Sequence, residues 1–358
     1  KRNDVYCASI EEKLGIKASP TAVLVYGDDK GEVGAGAIGY LVGEENRGLE
    51  YMFIMMNAAR YDVGMQGIAV SERAYQHAVN YAKDRVQSRP VDGSAKESVA
   101  IIHHPDVKRM LLTMRALIEG ERAMALVGAA AYDNAHFNPN KDEAKKAQAF
   151  YEFLVPLIKG FSTENSVEVT SLGVQVHGGM GFIEETGAAQ YYRDSRILPI
   201  YEGTTAIQAN DLVGRKTARD GGAMAKSIAA QIADLEGQLA ARGDACKKYA
   251  AQLKAGRESF LQVVDFVLAN VKSNPNAVFA GSVNYLMLAA NLVSGWQMGR
   301  ALIVAEDKLA AGEDAEFMKA KIATVRFYGD HILPRIASLR EMILAGGESV
   351  TALPAELF

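Results

Sequence analysis

Residues 174–208 read VQVHGGMGFIEETGAAQYYRDSRILPIYEGTTAIQ. Gly178-Gly179 close an apolar helical pattern, and a glycine pair at a helix end permits positive φ and close backbone approach. Taken alone, the pair is a helix cap whose exposed amides can hold phosphate oxygens. Arg193-Asp194-x-Arg196 alone reads as a solvated charge cluster. Tyr201-Glu202-Gly203-Thr204 reads as a loop leading into a helix capped by Thr204 or Thr205. Glu202 is the unusual member, because Leu198, Pro199, Ile200 and Tyr201 precede it. A carboxylate set in an apolar loop is a candidate general base, since desolvation favours its protonated form. His177 reads as part of the turn rather than as a metal ligand.

The segments around this stretch are helical. Leu49, Met52, Phe53, Met56, Val63, Val70, Ala74, Ala78 and Tyr81 form one stripe near the 3.6 period. With no proline between Pro20 and Pro90, one long helix over 48–88 is predicted. Pro105-Asp106 announces a second helix over 105–133, with Val107, Met110, Leu111, Met114, Leu117 and Ile118 on one face. Residues 134–147, DNAHFNPNKDEAKK, are expected to form a polar loop. A third helix is predicted over 152–177, starting near Pro156 and stopped by HGGMG. Residues 221–358 read as helical throughout, with Gly221-Gly222 as the boundary and Pro334 ending or kinking the last helix. Residues 1–45 differ: VYCASI and AVLVYG are short β-type runs separated by glycine, proline and aspartate. The expected organisation is therefore a β remnant at 1–45, a long-helix domain at 46–220 and a helical extension at 221–358. The chain opens at Lys1 in strand-like sequence and is expected to be a portion of a longer protein.

Composition narrows the function classes. The 358 residues are 49% hydrophobic and 23% charged, with Lys+Arg 39 against Asp+Glu 43 and a net charge of −4. That balance carries no electrostatic footprint for nucleic acid. From Ser273 to Gly299 there is no charged residue, but Pro275, Gln297 and four asparagines interrupt the run. A buried bundle helix is expected there rather than a membrane span. Cys7 and Cys246 lie far apart and match no metal spacing, which fits a reducing, cytoplasmic compartment. Gly34-Ala-Gly36-Ala-Ile-Gly39 matches G-x-G-x-x-G, yet Gly43 and Gly48 interrupt the next ten residues, so no dinucleotide-binding βαβ unit is expected.

The motifs of residues 174–208 together resemble the acyl-CoA dehydrogenase family. Gln175, Gly178, Gly179 and Gly181 match its Q-x-x-GG-x-G segment. Tyr192, Arg193, Asp194 and Arg196 match Y-R-D-x-R, and Tyr201, Glu202, Gly203, Thr204, Ile207 and Gln208 match the end of I-Y-E-G-T-x-x-I-Q. Upstream, EKLGIKASPT (12–21), GEENRGL (43–49) and YAKDRVQ (81–87) are similar to family segments. The extension, with RFYGDHILPR (326–335), resembles that of a larger subfamily that includes 3-(methylthio)propanoyl-CoA dehydrogenases.

The resemblance implies a mainly α fold: an acyl-CoA dehydrogenase-like helical bundle after a β-domain remnant, with a C-terminal helical extension. It implies FAD-dependent α,β-dehydrogenation of an acyl-CoA thioester, either 3-(methylthio)propanoyl-CoA or a fatty acyl-CoA. Glu202 matches the catalytic base. Relatives that carry the base on the long helix place it just before an arginine, where Ala59 precedes Arg60 here. Arg85, Gln175, Gly178, Gly179, Gly203 and Thr204 match FAD contacts, the first four across a dimer interface. Asn57, Arg60, Tyr201 and Gly203 fall where relatives meet substrate or support the base. Pro105 and Ala206 stand where many relatives have polar residues. The implied partners are acyl-CoA, an electron-transfer flavoprotein and a second copy of the chain. This portion alone is expected to be inactive. The rival readings are an acyl-CoA oxidase and a non-catalytic helical interaction module.

Overall fold

Helix α1 (Gly48–Asp84) runs 37 residues without a break. It is seen in a computed structural model that describes residues 1–358. Its C-terminal two-thirds buries mostly small residues, among them Gly64, Gly67, Ser71, Ala74, Ala78 and Ala82. The reason is the neighbour. A Cβ at Gly64 would lie 2.8 Å from the Ile158 carbonyl oxygen, and one at Gly67 would lie 2.6 Å from that of Ser162. Two helix backbones therefore touch directly along this seam. The first turns of α1 instead present Leu49, Met52, Phe53, Ile54 and Met55 to solvent.

Helix α2 (Pro105–Phe137) starts at its proline and buries Met110, Leu111, Met114, Leu117 and Ile118, as the spacing predicts. The expected polar loop at 134–147 is not a loop. Helix α2 runs on to Phe137, and α3 (Lys141–His177) begins after a three-residue link. The Asn140 side chain caps α3 by accepting from the amides of Asp142 (3.0 Å) and Glu143 (3.3 Å). The polar run is thus a helix cap and a solvent-facing first turn. Pro156 lies buried inside α3 rather than at its start, where it forfeits one backbone bond. The glycine pair ends α3: Gly178 takes φ +58°. Short helices follow as α4 (Gly179–Phe182), α5 (Ala188–Ser195) and α6 (Thr205–Asp211), and α6 continues into a π-helical turn at Leu212–Ala218.

The C-terminal part is helical, as read: α7 (Ala223–Ala240), α8 (Asp244–Asn270), α9 (Pro275–Ala280), α10 (Ser282–Ala310), α11 (Ala315–Phe327), α12 (Arg335–Ala345) and α13 (Gly347–Thr351). A π-helical turn at Tyr328–Ile332 precedes Pro334, and α12 starts after it. The charge-free run supplies the centre of α10, buried from Leu288 through Gly299. No helix is long and apolar enough to cross a membrane. One continuous apolar core joins α1–α3 to α7–α12 across the Gly221-Gly222 turn.

Strands β1 (Val5–Ile10) and β2 (Ala22–Tyr26) pair antiparallel, with an irregularity between Cys7 and Ser9. Buried Asp4 accepts from the amides of Asp29 (2.7 Å) and Lys30 (3.1 Å) and so fixes the turn beyond β2. The G-x-G-x-x-G run lies in irregular chain with no helix opening at it. Asp194 ties this hairpin to the helices by accepting from the Ile16 amide at 2.6 Å. That bond gives the Arg193-Asp194 pair an anchoring task that charge alone did not reveal.

Candidate active site

The Glu202 loop is built by its neighbours. Glu202 is half-buried and takes φ +54°, and Gly203 follows at φ +87°. Such a left-handed conformation costs a non-glycine residue about 1 kcal/mol or more, and it persists only where surrounding bonds impose it. Those bonds are present. The Gln208 amide donates to the carbonyls of Glu202 (3.3 Å) and Gly203 (3.2 Å). The ammonium of Lys159, on α3, donates to the carbonyls of Gly203 (2.7 Å) and Leu198 (2.8 Å). Thr204 caps α6 by accepting from the Ile207 amide, and Thr205 donates its hydroxyl to Glu164.

Lys159 is fully buried. Burial pulls its ammonium down to about 8, with Arg60 acting in the same direction and Glu164 and Glu202 opposing. Tyr201 donates its hydroxyl to Gln66 on α1, and burial first, then Glu202, pushes that hydroxyl above the usual tyrosine range. Arg60 is buried on α1, where it pairs with Asp211 at 3.3 Å and leaves its Nε unpartnered. Asp211 also receives Arg215. Asn57 lies half-buried one turn before Arg60. Beside this loop, Tyr201, Arg193, Arg196 and Ile200 share with Lys13–Ile16 of the β segment the wall of a cavity of about 630 Å³.

The second cluster lies at the far end of α1. Arg85 is the residue that closes that helix. With Gln175, Gly178 and Gly179 it lines a cavity of about 930 Å³, which Gln87, Arg89 and His104 also face. The one carboxylate in that wall, Asp106, is engaged by Arg109 at 2.7 Å. A Cβ at Gly178 or Gly179 would meet nothing within 4 Å, so the glycine pair opens freely onto the cavity. His177 is buried beneath it, donating from Nδ1 to the Gly173 carbonyl (2.7 Å) and leaving Nε2 unpartnered. Burial, then His77, holds its imidazole below the usual histidine range. The structure therefore gathers Arg85, Gln175, Gly178 and Gly179 in one place and Glu202, Gly203, Thr204 and Tyr201 in another. Gln66 touches the second group and Arg85 the first, so about 28 Å of helix axis separates them at 1.5 Å per residue.

Residues 46–217 match the family model described as acyl-CoA dehydrogenase, C-terminal domain. Residues 224–354 match one described as acetyl-CoA dehydrogenase C-terminal like. The chain is 55% identical, over 350 residues, to 3-methylmercaptopropionyl-CoA dehydrogenase of Ruegeria pomeroyi, covering 98% of this chain and 58% of that protein.

The chain belongs to the acyl-CoA dehydrogenase family.

Another family relative, a broad-specificity linear acyl-CoA dehydrogenase of Mycobacterium tuberculosis, is 34% identical over 96% of this chain and 57% of its own length. The chain thus spans less than two thirds of these relatives. Two solved structures share the acyl-CoA dehydrogenase fold. ACDH-11 of Caenorhabditis elegans, in complex with C11-CoA, has a TM-score of 0.75 at 18% identity, covering 96% of this chain and 55% of that one. An acyl-CoA dehydrogenase from Bacillus anthracis, complexed with FAD, has a TM-score of 0.74 at 22% identity, with 97% and 58% covered.

The sequence did not single out several residues of these two candidate clusters, among them Lys159, Asp211 and Arg89. Lys159 carried a signal: it is the only charged residue in the otherwise apolar run Phe153–Phe161. Asp211, the partner of Arg60, and Arg89, in the wall of the larger cavity, carried none beyond their charge.

Proposed function

We propose that this chain carries the base and the flavin-contacting helices of an FAD-dependent acyl-CoA dehydrogenase. The observation that carries the reading is the Glu202 loop: a half-buried carboxylate residue held in a left-handed turn within a chain of this family. The donor set at the far end of α1 fits a dinucleotide. Arg85, Arg89, Gln87 and Gln175 offer cationic and amide donors to a diphosphate, and the bare glycine pair leaves room for it. Arg85, Gln175, Gly178 and Gly179 would hold the adenylate half, and Gly203 and Thr204 would contact the flavin of their own subunit. Bound FAD supplies the acceptor for the β-hydrogen and its electron pair.

The chain's own residues do the rest. The Glu202 carboxylate takes the α-proton of the thioester. The Glu202 amide donates to the thioester carbonyl oxygen, where negative charge develops. Tyr201, Gly203 and Asn57 border the substrate, while Arg60, fixed by Asp211, backs the loop. The 55% identity to a 3-methylmercaptopropionyl-CoA dehydrogenase favours 3-(methylthio)propanoyl-CoA as the substrate. An electron-transfer flavoprotein is the proposed electron acceptor, and a symmetric homodimer the proposed assembly.

Glu202→Gln in the full-length protein tests the assignment. The amide keeps the shape and the loop, so FAD content and acyl-CoA affinity should hold. Turnover should fall by at least about 10²–10⁴-fold, the range of general-base catalysis. Turnover near that of the parent protein would remove Glu202 from the mechanism. A comparison of 3-(methylthio)propanoyl-CoA with straight-chain acyl-CoAs, read with electron-transfer flavoprotein and with O₂ as acceptors, tests substrate and acceptor together.

A further inference from the structure

We propose that Lys159 is the positioning residue of the Glu202 loop: its buried ammonium clasps the carbonyls on either side of Glu202 and fixes where that carboxylate points. Leu198 lies before Glu202 and Gly203 after it, so one cation closes the loop 198–203 from below. Its contacts at 2.8 and 2.7 Å are shorter than those of the Gln208 amide at 3.2 and 3.3 Å, as expected for a charge-assisted donor. The Leu198 carbonyl has no other donor, because the neighbouring amides of Ile200 and Tyr201 go to Ile197 and that of Thr205 goes to Pro199. Leu198 is itself buried, so removing the ammonium would leave its carbonyl unsatisfied.

No carboxylate salt-bridges Lys159, so the cation is spent on the loop backbone rather than on a counter-ion. The charged groups that face it are Glu164 on its own helix, Glu202 on the loop and Arg60 on α1. Gly160, the next residue on α3, lies against Leu286 of α10, so the helix that bears Lys159 is held from behind. The clasp therefore links a rigid, core-packed helix to the one strained non-glycine residue of the loop, Glu202. This inference rests on reading Glu202 as the base, but the clasp itself has a readout that does not.

The test uses the full-length, FAD-loaded protein with Lys159→Met, Lys159→Arg and, in parallel, Glu202→Gln. Amide hydrogen exchange is followed across residues 199–205 and across α2. The kcat, the KM for acyl-CoA and the α-deuterium isotope effect are measured beside it. Lys159→Met should speed exchange at the bonded loop amides of Ile200, Tyr201 and Thr205 at least about tenfold while α2 keeps its protection. Its kcat should fall about 10²-fold, the scale of a small misplacement of a reacting group, with KM changed less than about twofold on the same argument. The isotope effect should rise, and Lys159→Arg should restore most of the kcat. If Lys159→Met does not yield folded protein, Lys159→Gln carries the same readouts.

Wild-type exchange and kcat in the Met variant would overturn the proposal. So would a loss of protection spread over α2 and α3, which would make Lys159 a packing residue. If Glu202→Gln keeps turnover while Lys159→Met still loosens the amides of Ile200, Tyr201 and Thr205, the base assignment fails and the clasp stands. If Glu202→Gln is inactive and Lys159→Met is unchanged in both measurements, the clasp alone fails.

Discussion

Gly67→Ala should destabilise the protein, although alanine is the better helix former. The two terms oppose each other. Replacing glycine by alanine inside a helix gains about 1 kcal/mol of propensity. Against that, the new Cβ would sit 2.6 Å from the Ser162 carbonyl oxygen, 2.9 Å from its carbon and 3.1 Å from the Thr163 nitrogen. All three are backbone atoms of α3, which cannot swing aside as a side chain can. Helix α1 must move away, and the same motion opens the contact of Gly64 with Ile158 one turn earlier. Overpacking of this kind costs about 1–3 kcal/mol, so the net effect is a loss of up to about 2 kcal/mol. Gly237→Ala is the matched control. That glycine is exposed on α7, and a Cβ there meets nothing within 4 Å, so alanine should stabilise by up to about 1 kcal/mol. Guanidinium unfolding of both variants, followed by circular dichroism, should place their midpoints on opposite sides of the parent. Equal stabilisation by the two substitutions would refute direct backbone contact between α1 and α3.

Arg85→Ala should lower FAD retention through gel filtration of the full-length protein while leaving the proposed dimer intact; unchanged flavin absorbance would remove Arg85 from the cofactor contacts. Sedimentation of the parent protein at micromolar concentration should give a dimer, and a stable monomer would contradict the assembly. Glu121 is fully buried, with Oε1 accepting from Asn165 at 2.7 Å and Oε2 unpartnered. Burial holds its carboxyl well above the usual range, so the folded state binds this proton more tightly than the unfolded chain does. Its contribution to stability therefore falls as pH rises above about 4.3, the unfolded value. Glu121→Gln should accordingly raise the unfolding midpoint at pH 7 and lose that gain near pH 4; a gain independent of pH would show that the carboxyl does not titrate on unfolding.

What was legible in the sequence was periodic. The stripe of α2 buries the residues that its spacing picks out, whereas that of α1 holds only from Val63 onward and leaves Leu49, Met52 and Phe53 exposed; the asparagines of the charge-free run did not prevent its becoming the core of α10. Polarity misled at 134–147, because a capped, solvated first turn has the composition of a loop; only Asn140 followed by Asp142-Glu143 marks it as a helix start. Pro156 misled for the opposite reason: tertiary burial overrode a local breaker. The candidate base was visible because Glu202 follows an apolar stretch. Gln208 was visible as part of the same motif, but Lys159 and Asp211 were not, since they act through contacts 44 and 151 residues away in sequence, and no local pattern encodes such pairings.

The separation of the two clusters bears on assembly. Helix α1 leads from Gln66, against Tyr201, to its cap Arg85, against the larger cavity, over about 28 Å of helix axis. In the proposed function a carboxylate at the flavin ring and the cations at the same flavin's diphosphate would lie at opposite ends of one molecule, and a rigid 37-residue helix cannot bend to bring its ends together. The proposed dimer would solve this with no motion, because two antiparallel copies about a two-fold axis would set the Arg85 end of each beside the Glu202 loop of the other. The apolar first turns of α1, with Leu49, Phe53 and Ile54 exposed, lie at the loop end of the helix. Burial of that patch would supply a hydrophobic drive to the proposed arrangement, which charge neutralisation of the diphosphate would also favour. On this argument, loss of the dimer and loss of the flavin should be coupled in one direction only: dissociation releases FAD, whereas Arg85→Ala releases FAD without dissociation.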